Sequence, residues 1–282
     1  MAEWCSGDVI ANGIRIHYYR TGDPSTWGKK PAVVLCHGFT DSGLCWTRVA
    51  RVLEADYDVV MPDARGHGLS ELPSEGLVRE AMADDVAGVI EALELDHPVA
   101  IGHSMGGGMV GMMAARHPDL LRGVALEDAG FGAPPNRFRN MTEEERAQRL
   151  RQATGWVEQL RGKTREELIE ICRQQSPTWH EDELGPWADS KLQFRASGGL
   201  QFGDGGKPWQ DLVRAIRCPI LIIRADPAKG GGVTEEVAAE IQSVGRDVRV
   251  VHLPEAGHNV RREAYDGFMA AITEFLSYCY SA

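Results

Sequence analysis

The pentad Gly102-His103-Ser104-Met105-Gly106 constrains this chain more than any other stretch, because of what flanks it. The apolar run Pro98-Val99-Ala100-Ile101 leads in as a buried strand would. Gly107-Gly108-Met109-Val110-Gly111-Met112-Met113-Ala114-Ala115 leads out with small residues that suit a closely packed helix. A serine on so sharp a strand-to-helix turn sits in a strained backbone conformation. Glycines two residues to either side leave room where a Cβ would strike the neighbouring strand or helix. Such a turn lifts the serine Oγ clear of the sheet. It also aims the following helix N-terminus, with its unpaired N–H groups and positive dipole end, at the place where an oxyanion would form. The pentad alone would also fit a plain glycine-rich turn; the strand before it and the helix after it separate the two readings.

The same kind of apolar run recurs along the chain. Ala32–Cys36, Tyr57–Met61, Gly123–Leu126, Ile220–Ile223 and Val248–Val251 suit central parallel strands, and Ile14–Tyr19 alternates as a half-buried strand should. Helical patterns lie between them at Leu44–Ala55, Val78–Leu95, Met109–His117, Thr234–Val244 and Arg262–Tyr278. This alternation implies an α/β fold with a mostly parallel central sheet covered by helices on both faces.

Residues 131–212 break the alternation, which divides the chain into a core of residues 1–130 and 213–282 and an inserted helical cap between the sixth and seventh strands. Thr142-Glu143-Glu144-Glu145-Arg146 reads as a helix start and Arg165–Cys172 as an amphipathic helix. Trp156, Trp179, Trp187 and Trp209 fall here with Phe131, Phe138, Phe194 and Phe202. Such a segment could present an apolar face to a pocket, with Phe131, Trp156, Trp179 and Trp187 as candidate lining residues; the aromatics could equally glue the cap to the core.

A net charge of −11 without a basic cluster argues against nucleic acid or an anionic membrane as partner. The start Met1–Asp8 carries no basic segment leading into an apolar one, so cytoplasmic location is the expectation. The six cysteines lack metal-ligand spacing and read as reduced thiols, so no metal or cofactor is expected. Small molecules are the partners left.

A serine hydroxyl is a poor nucleophile until a base takes its proton, so Ser104 calls for a histidine in a loop after the last strand. His258, in Leu253-Pro254-Glu255-Ala256-Gly257-His258-Asn259, lies between the strand around Val250 and the final helix. His117 reads as a helix-end residue, and His67 belongs to a separate loop.

With these residues in place, the chain resembles the α/β-hydrolase superfamily over nearly its whole length. The matching motifs are His37-Gly38-Phe39, Asp63-Ala64-Arg65-Gly66-His67-Gly68-Leu69-Ser70, the turn around Ser104, and Gly257-His258. The resemblance implies that the backbone N–H groups of Phe39 and Met105 would face the oxyanion. It also implies an acid that orients the histidine, most often an aspartate after the seventh strand. Here that strand runs into Arg224-Ala225-Asp226-Pro227-Ala228-Lys229-Gly230-Gly231-Gly232, which departs from the usual pattern. In a minority of relatives the acid follows the sixth strand, where this chain has Leu126-Glu127-Asp128. Loop reach favours Asp128, with Asp226 as the alternative; the plainer role of Asp226 is to form the turn of an Asp-Pro pair. Glu127 is expected to point away, since neighbours at a strand end face opposite sides. The Asp63–Ser70 motif reads as a structural loop pinned by its own hydrogen bonds.

The expectation is a serine esterase or lactonase acting through an acyl-enzyme, on a bulky apolar small molecule. A carboxylate nucleophile, as dehalogenase and epoxide hydrolase chemistry needs in this fold, is absent from the turn. A cofactor-free perhydrolase, a carbon–carbon bond hydrolase and a ligand receptor that keeps the hydrolase fold are the alternatives.

Overall fold

The computed structural model describes residues 4–74, 76–131, 142, 144–145, 148, 155–156, 159–160, 162–195 and 208–281. Its strands are β1 (Cys5–Ala11), β2 (Ile14–Arg20), β3 (Ala32–Cys36), β4 (Asp58–Pro62), β5 (Val99–His103), β6 (Gly123–Glu127), β7 (Ile220–Ala225) and β8 (Val248–Leu253). They form one sheet in the order β1-β2-β4-β3-β5-β6-β7-β8. From β4 to β8 the neighbours are parallel, whereas β1 and β2 run antiparallel at one edge.

β1 goes beyond the sequence reading. Its residues alternate between half-buried and exposed, as an edge strand with one covered face does. The link to β2 is Asn12-Gly13, both at positive φ, the turn chemistry that a tight hairpin demands.

The helices are α1 (Thr47–Leu53), α2 (Arg79–Ala92), α3 (Met105–Arg116), α4 (Arg165–Gln175), α5 (Glu181–Gln193), α6 (Trp209–Ala215), α7 (Glu235–Val244), α8 (Val260–Glu263) and α9 (Tyr265–Ser281). Alternate strand residues feed two cores. Val34, Cys36, Ala100, Val124, Leu126 and Ile222 pack with residues of α2, α3 and α7 on one face. Val33, Leu35, Ile101, Ala125 and Ile223 pack with residues of α1 and α9 on the other. A strand buried on both faces has no polar side to show, which is why these strands read as continuous apolar runs.

Between β6 and β7, α4 opens with a capping box in which Thr164 and Glu167 satisfy each other's backbone N–H groups. Leu168, Cys172, Leu184, Trp187 and Ala188 join α4 to α5 in a small core of their own. α6 packs against α3, and Trp209 and Leu212 reach the main core, so residue 212 lies inside a helix of the core layer. Phe138 and Phe202 lie outside the described residues, as does most of the segment around Thr142.

Candidate active site

β5 ends at His103 and α3 begins at Met105, so Ser104 alone makes the turn, at φ 52° and ψ −110°. The helix starts four residues before Met109, where helical character was expected, because small residues let it press close to the sheet. A Cβ on Gly102 would collide with the backbone of Gly106, and one on Gly106 with the carbonyls of Cys36 and His37. Ser104 N–H donates to the Glu127 carbonyl at 3.0 Å, which ties the turn to the end of β6.

The carboxyl ends of β5, β6 and β7 lie in register, with His103 beside Glu127 and Glu127 beside Ile223. Asp128, the next residue after β6, adopts φ 44° and is buried. Its Oδ2 lies 2.6 Å from His258 Nδ1, and His258 Nε2 lies 2.9 Å from Ser104 Oγ. A carboxylate only accepts, so His258 carries its proton on Nδ1, which leaves Nε2 to accept from the serine hydroxyl.

The glycine turn after β7 serves that carboxylate. Gly232 N–H donates to Asp128 Oδ2 at 2.7 Å and Val233 N–H to Oδ1 at 3.2 Å. Asp226, the alternative acid, is placed elsewhere: its Oδ1 accepts from Ala228 N–H at 2.9 Å and caps the short turn Pro227–Lys229. Glu127 faces away from His258, accepting from the Arg261 backbone N–H at 2.8 Å and its guanidinium at 3.1 Å.

His258 is held by a residue that the sequence reading passed over. His103 Nε2–H donates to the His258 carbonyl at 2.9 Å, and a Cβ on Gly38 would run into the His103 ring. Burial, with Arg261 and His258 adding to it, pushes His103 well below the usual histidine range and keeps it neutral.

Phe39 follows β3 in the turn Gly38–Asp41, closed by Asp41 N–H donating to the Gly38 carbonyl at 3.1 Å. Among the described residues, the backbone N–H groups of Phe39 and Met105 find no acceptor, so both remain available to an oxygen near Ser104. The Phe39 ring packs edge-on against Phe194, with ring centroids 5.2 Å apart.

The four candidate lining residues are dispersed. Phe131, at φ 44°, is 2% exposed and lies against Gly111 of α3 in the main core. Trp187 is buried in the α4–α5 cluster with Trp156 beside it at 6.1 Å, and Trp156 touches the main core as well. The Trp179 ring faces Arg262 at 4.3 Å and lines a separate cleft of about 580 Å³, whose walls among the described residues include neither Ser104 nor His258.

Among the described residues no cluster of histidine, cysteine or acidic side chains could hold a metal ion, and no helix is long and apolar enough to cross a membrane.

A family model described as alpha/beta hydrolase fold matches residues 31–261. The chain is 29% identical over 279 residues to N-formylmaleamate deformylase of Pseudomonas putida, with 96% of each chain covered. It is 27% identical over 262 residues to 2-(acetamidomethylene)succinate hydrolase of Mesorhizobium japonicum, covering 88% of this chain and 89% of the relative. Among solved structures, a thermophilic esterase from Thermogutta terrifontis superposes with a TM-score of 0.69 at 25% identity, covering 99% of each chain.

Proposed function

This chain belongs to the alpha/beta hydrolase fold family, and we propose that it is a serine hydrolase that cleaves the acyl bond of a small molecule through an acyl-enzyme on Ser104. The observation that carries the reading is the chain of contacts from Asp128 Oδ2 through His258 to Ser104 Oγ, at 2.6 and 2.9 Å. His258 Nε2 takes the hydroxyl proton as Ser104 Oγ attacks the carbonyl carbon. Asp128 holds the imidazole in the productive tautomer and stabilises the imidazolium that forms. The N–H groups of Phe39 and Met105 take the charge that develops on the carbonyl oxygen, a contribution of about 3 kcal/mol per donor in comparable sites. As the tetrahedral intermediate collapses, the bond to the leaving oxygen or nitrogen breaks, and that atom receives the proton from His258. Water then repeats the sequence on the acyl-serine, and the acid leaves.

The bond cleaved is that of a carboxylic ester or lactone, or of a short N-acyl group. Ester or lactone follows from the chemistry that a Ser-His-Asp set performs most readily. The N-acyl reading is supported by the two relatives that align with most of the chain, one called a deformylase and the other named for an acetamidomethylene substrate. We further propose that the helices between β6 and β7 form a cap and that Trp156, which touches both the core and the α4–α5 cluster, bears on substrate choice.

The test is a panel of p-nitrophenyl esters, lactones and N-formyl or N-acetyl amides, with Ser104→Ala as the blank. Turnover of members of the panel that disappears in Ser104→Ala supports the reading, and the preferred group identifies the bond. Turnover of none of them, together with failure of a fluorophosphonate to label Ser104, would overturn it.

A further inference from the structure

Thr40 stands immediately after Phe39 with φ 67°, in the left-handed region. It is the third residue of the turn Gly38–Asp41, a place where positive φ favours glycine or asparagine. A β-branched residue there is strained by about 1–3 kcal/mol and persists only where the surroundings over-determine it. Here the surroundings include a fully buried ammonium. Lys191 Nζ, on α5, lies 2.9 Å from the Thr40 carbonyl oxygen, 3.0 Å from Thr40 Oγ1 and 2.8 Å from Asp41 Oδ1, with Ser190 Oγ at 3.2 Å. Its protons are therefore spent mainly on two consecutive residues of this turn.

The same strap continues to the histidine loop. Arg262 donates to Asp41 Oδ2 at 3.0 Å and to Glu183 Oε2, also on α5, at 3.1 Å. Burial pushes the Asp41 carboxyl up, but Arg262, Lys191 and Arg261 together outweigh it and hold the group well below the usual carboxylate range. Charges buried this completely are weak evidence for stability, because desolvation offsets most of their attraction. Their effect is to fix geometry.

We propose that Lys191 is a positioning residue for the oxyanion site: by holding Thr40 in its left-handed conformation through both carbonyl and hydroxyl, it sets where the preceding Phe39 N–H points. The proposal rests on the reading of Ser104, Phe39 and Met105 given above. It makes α5, inserted far along the chain, part of what shapes the transition-state site. Lys191 touches no reacting atom in this scheme, since its ammonium is used up within the turn.

The test uses the full chain and p-nitrophenyl acetate. Fluorophosphonate labelling of the wild-type serine comes first, because its absence would sink the serine-hydrolase reading itself and not this proposal. Given labelling, Lys191→Met is expected to lower kcat about 10- to 100-fold, part of the loss seen when an oxyanion donor is removed outright, with KM changed less than about 3-fold. In a Thr40→Gly background, where left-handed φ costs nothing, Lys191→Met is expected to lower kcat by less than about 3-fold. Equal losses in the two backgrounds, or a loss confined to KM, would overturn the proposal. Should Lys191→Met fail to fold, Thr40→Val decides: it removes one of the two Thr40 contacts and leaves Asp41 paired. A kcat reduced several-fold supports the proposal, and a lowered melting temperature with unchanged kcat refutes it.

Discussion

Asp128 and His258 are 130 residues apart in the chain and 2.6 Å apart in space. The acid leaves the end of β6 and the histidine lies in the loop after β8, with β7 between these strands in the sheet. The glycine turn after β7 bridges the gap by giving the backbone N–H groups of Gly232 and Val233 to the Asp128 carboxylate.

If Asp128 orients His258, Asp128→Asn should reduce turnover of the best ester or amide by about four orders of magnitude, with the fold intact. Asp226→Asn should keep near-normal turnover and change stability by no more than about 1 kcal/mol, since asparagine caps a turn almost as well. Steady-state kinetics on the two variants, with circular dichroism to confirm folding, distinguishes them. The reverse pattern would assign the acid to Asp226.

Ser104→Ala should fold as the wild type does and lose fluorophosphonate labelling completely. Intact-mass spectrometry reads the adduct directly. A labelled alanine variant would place the nucleophile elsewhere.

Gly106→Ala should destabilise the protein by about 3 kcal/mol or more, because the new methyl group meets the carbonyls of Cys36 and His37, which strand geometry cannot move. Gly108→Ala, two residues along the same helix with open space around it, should be neutral or slightly stabilising. Urea unfolding of the pair checks the contrast. Equal effects at both positions would contradict the close contact of α3 with β3.

His67 is buried, and burial, with His37 adding to it, lowers its pKa to about 3. A depressed folded pKa favours the neutral form, so the associated stability is present above the unfolded value of about 6.5 and is lost as pH falls toward 3. Between pH 7.5 and 5.0 this one group should cost the wild type about 2 kcal/mol of unfolding free energy. His67→Asn keeps an N–H placed to face the Arg65 carbonyl that His67 Nδ1 approaches at 2.9 Å but does not titrate, so its stability should fall by that much less over the same range. Parallel pH slopes for the two proteins would show that His67 carries no such linkage.

Trp156→Ala should lower kcat/KM for bulky esters more than for p-nitrophenyl acetate, whereas Trp179→Ala, altering the cleft beside Arg262, should leave that ratio unchanged. Competition assays with paired substrates measure it. Uniform losses in Trp156→Ala would assign that side chain to packing alone.

The sequence by itself determined the α/β alternation, since a strand buried on both faces must be mostly apolar, and β3 to β7 are such runs, whereas the edge strand β8 is only half buried and carries Arg249 and His252. It also marked Ser104 and His258 as candidates, because a serine on a strand-to-helix turn needs glycines at fixed short spacing and the order of the elements places His258 after the last strand. The edge strand Cys5–Ala11 was harder to see, since only one of its faces is covered and its residues are correspondingly mixed. Tertiary structure decided what depends on contacts across long stretches of chain. Loop reach and the Asp-Pro pair favour Asp128 over Asp226 but leave both open, and only the folded chain brings the Asp128 carboxylate to His258 and has Asp226 cap its own turn. The sequence leaves Phe131 open between pocket and packing, and the fold sets its ring against Gly111 of α3. Lys191 drew no reading from the sequence, and only the fold brings its ammonium to Thr40 and Asp41, 151 and 150 residues away. A lone charge carries no signal of its partner; whether it is screened by water or fixes a turn is settled when distant segments close over it.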